Sequence, residues 1–140
     1  MRWLLGVVVS VLLAISADAA VVQARLVLAS NDSRKADKRL SDIESKLKET
    51  FGYQFYQQLG AQQRPLKAGD KLRLDLGQEF VLFILPKSAD RHQQELELEW
   101  YSGKTLLVRS VVKIVENGHL FVKGPEVGND WIVLAVGVRN

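Results

Sequence analysis

The segment QELELEW, residues 94–100, alternates polar and apolar side chains without a break. A period of two excludes an amphipathic helix and requires a strand with one buried and one wet face. Leu96, Leu98 and Trp100 form the apolar side, and Glu95, Glu97 and Glu99 the polar side. The next segment, TLLVRSVVKIV at 105–115, must bring its own apolar positions onto the same side, because a slip of one residue would bury carboxylates. Parity then calls for a three-residue loop, Ser102-Gly103-Lys104, setting Trp100 opposite Leu106, Leu98 opposite Val108 and Glu97 opposite Arg109. Ser110 falls on the inward face as a packed hydroxyl.

The rest of the chain after Gly52 carries the same signature. YQFYQQL is a polar-aromatic strand, with Pro65 and KAGD as punctuation. KLRLDL points Leu72, Leu74 and Leu76 inward and ends at a Gly77-Gln78 turn. FVLFIL at 80–85 is apolar on both faces, as expected of a strand held between layers or awaiting a partner. Residues 86–91 read as a loop. Asn117-Gly118 predicts a type I′ hairpin that pairs Ile114 with Phe121 and places Val111, Val115 and Leu120 on the other face. WIVLAVGV is a last strand, apolar on both sides, reached through a long loop from Gly124 to Asp130.

Ahead of the strands, VVQARLVLASND is a strand closed by a turn. KADKRLSDIESKLKETFG then sets Leu40, Ile43, Leu47 and Phe51 on one helical stripe. Asp32, Ser33 or Asp37 can cap its start, and Gly52 suits its C′ position. The charge-rich RKADKR lies in the first turn of this helix, where cations oppose the helix dipole, and is either a solvated helix entry or a contact for an acidic partner. The expected fold is α+β: an antiparallel sheet or sandwich of about seven to eight strands with one amphipathic helix on a face.

Residues 1–19 read as a signal peptide: Arg2, an apolar run from Leu4 to Ile15, and the small-x-small Ala17-Asp18-Ala19. The run is short of the ~20 residues that span a bilayer, so contact with the membrane is expected only before cleavage. Residues 20–140 then form a single β-rich domain that is periplasmic or secreted. With no cysteine it folds without disulfides, which suits a bacterial envelope. A net charge of +3 gives no electrostatic case for nucleic acid.

Catalytic chemistry finds little support. His92 and His119 belong to no spaced ligand pair, so no metal is expected. No serine lies in a GxSxG elbow, and KGPEVGND has neither phosphate-loop spacing nor a helix after it. No small-molecule cofactor is expected. Glu97 and Glu99, about 7 Å apart along one strand face, satisfy a glycosidase spacing, yet alternating Glu is also the ordinary outer face of a strand. Aromatic contact surfaces are better candidates. Tyr53, Tyr56 and Tyr101 could stack on a glycan or anchor a protein interface, and Glu126 and Asn129 would extend contact along the last loop. His119, beside the Asn117-Gly118 turn, is read as solvated.

The order RLVLASND, helix, FGYQFYQQLG, LRLDLG and VKGPEVGNDWIVLAV resembles a group of small exported bacterial proteins of unassigned function. LFVKGPEVGNDWIVLAVGV is also similar to the strand-loop-strand segments near the gate of outer-membrane secretins. It departs from them at Lys123-Gly124-Pro125, where a second glycine would stand. The resemblance implies envelope or secretion machinery and transfers no functional residue. The leading expectation is a non-enzymatic interaction module whose partner is another envelope protein or a second copy. A carbohydrate- or peptidoglycan-binding module using Trp100, Tyr101 and the residues 53–56 aromatics is the alternative, and a glycoside hydrolase the least supported.

Overall fold

The computed structural model describes residues 20–89 and 92–139. The expected signal peptide lies outside the described residues. The described chain forms β1 (Val21–Ser30), a 3-10 turn (Lys38–Leu40), α1 (Glu44–Phe51), β2 (Phe55–Pro65), β3 (Leu72–Gly77), β4 (Phe80–Ala89), β5 (Gln93–Ser102), β6 (Thr105–Val115), β7 (His119–Val127) and β8 (Asp130–Arg139). The strands make two four-stranded antiparallel sheets, ordered β2-β1-β8-β7 and β3-β4-β5-β6. Chain order is therefore spatial order all round the molecule. The chain passes between sheets after β2 and after β6, and β8 returns to pair with β1. The expected antiparallel sandwich with one helix on a face is what forms.

The two-faced strands β1 and β8 lie at the centre of the first sheet. Val22, Ala24 and Leu26 of β1 and Ile132, Leu134, Val136 and Val138 of β8 face the second sheet. There they meet Leu74, Leu76, Leu82, Ile84, Leu96, Leu98 and Trp100. Val27, Ala29, Val133 and Ala135 point the other way, into a second core closed by Leu40, Ile43, Leu47 and Tyr56. The molecule thus has three layers, and burial of both faces explains the apolar runs.

The helix is shorter than its stripe predicts. Leu40, Ile43 and Leu47 are all fully buried, yet the segment splits into the 3-10 turn and an eight-residue α1. Asp37 caps the 3-10 turn by accepting from Arg39 N at 3.0 Å. The Asp42 carboxylate is then drawn onto Arg25 of β1 by two bonds of 2.8 and 2.6 Å. That clamp falls where a continuous helix would run, and α1 starts only after Ile43, with no side-chain cap. RKADKR accordingly precedes the helix instead of forming its first turn. Gly52 ends α1 as expected, with φ 79° and its N–H on Lys48 O at 2.9 Å. A helix of this length is unstable alone, so the buried stripe holds it.

Four local expectations are corrected. Residues 86–89 extend β4 instead of looping, with a bulge between Pro86 and Ser88. Pro86 stands beyond the end of β3, its carbonyl accepting from Gly69 N at 3.0 Å, so its missing N–H breaks no ladder bond.

The β5–β6 turn is the pair Gly103-Lys104, with Ser102 opposite Thr105. A bulge at Leu107, where the register shifts between Trp100 and Tyr101, then restores parity, setting Trp100 opposite Val108, Leu98 opposite Ser110 and Glu99, not Glu97, opposite Arg109. Leu107 and Val108 both reach the core while Leu106 turns out. Ser110 lies opposite the core residue Leu98, on the inward face as expected, but on this edge strand it is exposed and not packed.

Asn117-Gly118 makes no hairpin. Asn117 has φ 61°, but Gly118 has no positive φ, and a type I′ turn needs both. Instead Gly118 N returns to Val115 O at 2.8 Å, and Asn117 N donates to Val138 O of β8 at 2.8 Å. β8 captures the turn and the chain crosses sheets, so Ile114 enters the inter-sheet core while Phe121 packs at the helix layer. Leu120 packs toward the inter-sheet core, away from the exposed Val111 and Val115.

The loop expected from Gly124 to Asp130 is mostly strand. Only Gly128 and Asn129 turn, with Gly128 at φ 64°, and Gly124-Pro125 is a bulge between Lys123 and Glu126. Gly124 is required there because a Cβ would lie 2.4 and 2.8 Å from the Trp100 indole.

Candidate functional site: the open face of the second sheet

The outer faces of the two sheets differ. The helix covers the first, and among the described residues no element covers the second. Alternation that buries Leu82 and Ile84 turns Val81, Phe83 and Leu85 of β4 outward, where each stays half-buried. Register then builds three rows across the sheet. Asp75, Val81, Tyr101 and Leu106 form one, Arg73, Phe83, Glu99 and Arg109 the next, and Leu85, Glu97 and Val111 the third. β6 is the sheet edge, hydrogen-bonded to β5 alone. Its Val111 and Val115 are 54% and 56% exposed, and Leu106 is 40% exposed.

Charge on this face is internally balanced. Glu99 meets Lys71 at 3.9 Å and Arg109 at 3.5 Å, and accepts from the Tyr101 hydroxyl at 3.1 Å. That hydroxyl, with the two cations behind it, holds the Glu99 carboxyl below the usual carboxylate range. Glu97 pairs with Lys87 at 3.1 Å. A glycosidase acid needs a raised pKa, and Glu99 is shifted the other way. Lys71 also lies 5.0 Å over the Phe83 ring, and Tyr101 meets Phe83 edge-on at 5.7 Å. Paired charges around packed rings and exposed valines make a surface that is partly apolar and whose charges are already neutralised.

The other sequence-selected residues do not gather at one place. Tyr56 is buried in the helix-side core, its hydroxyl donating to Leu47 O at 2.9 Å, and burial pushes its pKa up. Tyr53 is half-buried on the same side, with Lys123 Nζ 5.7 Å from its ring and 3.8 Å from that of Trp131. Glu126 is exposed opposite Trp131, and Asn129 is exposed at the β7–β8 turn. Trp100 is 1% exposed and offers no ring face. Of the five chosen contact residues only Tyr101 belongs to the open face.

Two features escaped the sequence reading. Arg25 is only 5% exposed, and its terminal nitrogens donate to Asp42, to Gln23 Oε1 at 3.0 Å and to Arg39 O at 3.3 Å. These bonds make it a strut between β1 and the helix layer. A lone arginine inside VVQARLVLAS was the available signal. His119 is half-buried, not solvated. It stacks on Phe121 at 6.1 Å, in room left by Gly137, where a Cβ would meet the imidazole at 2.7 Å. Its Nδ1 is buried without a hydrogen-bond partner among the described residues, and burial lowers its pKa, with Arg25 and Lys46 adding to the effect. A cavity of about 180 Å³ lies here, lined in part by Gln23, Arg25, Asp42 and His119.

Among the described residues no three His, Asp or Glu side chains converge as a metal site would require, and no helix is long and apolar enough to cross a membrane. No protein-family model, no curated protein and no solved structure matches this chain.

Proposed function

We propose that this chain is an exported, non-enzymatic module, periplasmic or secreted, that works by contact with another envelope protein or with a second copy of itself. The observation that carries the proposal is the unequal treatment of the two apolar faces. The outer face of β8 is sealed by the helix, whereas Val81, Phe83, Leu85, Val111 and Val115 are left at the surface of β4 and β6. These apolar side chains, crossed by the neutralised Glu97 and Glu99 of β5, give a mixed surface of the composition that protein contact sites use. A glycan platform is less well served, since Trp100 and Tyr56 are buried and Tyr53 and Tyr101 lie on opposite sides of the sandwich. The apolar leader and the likeness to small exported proteins support the compartment.

The test is chemical crosslinking of the protein in its own envelope, together with sedimentation of the purified chain. Val111→Glu/Val115→Glu alters side chains that are already exposed, so the fold should survive. Unpaired carboxylates in a closed interface should weaken a crosslinked species or dimer roughly tenfold or more. A strict monomer with no crosslinked species, or an association indifferent to the double variant, would sink the proposal.

A further inference from the structure

We propose that the depression formed by residues 34–39 against β2 is a binding site for a phosphate-bearing anion. It is independent of the open sheet face, on the first sheet near the start of the helix layer. The depression, about 430 Å³, is lined by Arg34, Lys35, Ala36, Asp37, Lys38, Arg39 and Gln57. Four of these side chains are cationic and one is acidic.

The single acid is fully committed. Asp37 Oδ1 accepts from Arg39 N and Nε at 3.0 and 2.9 Å, and Oδ2 accepts from Arg39 Nη2 and Gln58 N, both at 2.8 Å. The Arg39 guanidinium and these amides hold the Asp37 carboxyl down at about 2, so it stays ionised and engaged. Arg34 reaches Gln57 and Asp130 only at 3.4 and 3.3 Å, long for charge-assisted bonds. Lys35 and Lys38 are exposed and form no ion pair among the described residues. Two ammonium groups are thus left uncompensated beside a loosely held guanidinium.

The loop is built, not loose. Asp37 ties it to β2, Ser30 Oγ accepts from Asp32 N at 3.0 Å, and Asn31 Oδ1 accepts from Gln54 N at 3.1 Å. These tethers fix the backbone that carries the lysines before any ligand arrives, which lowers the ordering cost of binding. A single carboxylate could not satisfy so many donors. A phosphate group presents three acceptor oxygens and up to two charges, and a guanidinium between ammonium groups suits it. The volume exceeds one bare phosphate and falls within the range of ligand sites, which fits a phosphorylated headgroup or solute.

The experiment titrates the full chain with inorganic pyrophosphate, and separately with phosphatidylglycerol-containing and purely phosphatidylcholine vesicles, at low and high salt. Lys35→Gln/Lys38→Gln is compared with Lys67→Gln/Lys104→Gln, an equal change of charge at exposed positions elsewhere. The expected result is salt-sensitive binding that falls roughly fivefold for each of Lys35 and Lys38 removed and is unmoved in the control pair. Binding of pyrophosphate alone assigns a soluble phosphorylated ligand, and binding of anionic over neutral vesicles a lipid headgroup. Absence of both, or equal loss in both double variants, overturns the site. Neither outcome touches the interface test, which uses residues of β6.

Discussion

Replacing Gly124 with alanine adds one methyl at the β7 bulge, and the structure says what it meets. The new Cβ would sit 2.4 Å from one atom of the Trp100 indole, 2.8 Å from a second and 3.1 Å from Ile132 O. Real Cβ contacts do not reach such distances, so the indole or the strand must shift. Trp100 is 1% exposed between Phe80, 5.7 Å away, and the facing sheet, which leaves the ring little room. Overpacking of this kind costs about 1–3 kcal/mol. For a domain of this size that lowers the thermal midpoint by about 4–10 °C.

The clash involves only the far edge of the six-membered ring, which phenylalanine lacks. Trp100→Phe should therefore relieve Gly124→Ala. The single Trp100→Phe change removes apolar area but also an indole N–H buried without a partner among the described residues, a group that costs about 1–3 kcal/mol to leave unpaired. Its net effect should be small for so buried a tryptophan, about 1–2 kcal/mol. Urea unfolding of the four proteins gives the coupling directly, and the expected double variant is at least 1 kcal/mol more stable than additivity allows. If Gly124→Ala costs the same in both backgrounds, the contact with Trp100 is not why glycine stands there.

The Arg25–Asp42 clamp should be asymmetric: Asp42→Ala strands a buried cation, for about 3–4 kcal/mol, whereas Arg25→Met leaves a half-exposed carboxylate that water can take up, for about 1–2 kcal/mol. Urea midpoints in the reverse order would refute it. Acid should destabilise the fold in two windows. His119 is held below its ordinary 6.5, so the unfolded chain protonates first and stability drops as pH falls from there; His119→Gln should flatten that region. Asp37, at about 2 against 3.8, contributes above 3.8 and loses its contribution as pH falls toward 2, at most about 2 kcal/mol and about 1 after solvent screening, a slope that Asp37→Asn should remove. Stability curves indifferent to both changes would show that neither group differs between the folded and unfolded chains.

Periodicity carried most of the fold because it is a local property with a global consequence. QELELEW and KLRLDL can bury their leucines only as strands, and the apolar runs of β1 and β8 only between layers. What local pattern cannot say is which neighbour completes a turn. Asn117-Gly118 has hairpin chemistry, yet the free amide and carbonyl of β8 at Val138 compete for its backbone and redirect the chain to the other sheet. The Ser102 loop shows the same limit in milder form. The parity demand was real, but a two-residue turn with a bulge meets it as well as a three-residue loop, and sequence holds no term that separates them.

The candidate sites were less legible for a related reason. Aromatic residues suggest a contact surface, but an aromatic ring is also the best filler of a core, and Tyr56 and Trp100 serve as packing. FVLFIL and WIVLAV are indistinguishable as strings, since both are apolar at every position. Among the described residues they diverge because the connection between β1 and β2 is long enough to carry a helix over β8, while the two-residue turns between β3 and β4 and between β5 and β6 carry nothing over β4. The apolar surface of β4 and β6 is thus a consequence of loop length. Among the described residues nothing supplies a second layer there, and Val111→Glu/Val115→Glu separates a face that awaits one from a face that tolerates water.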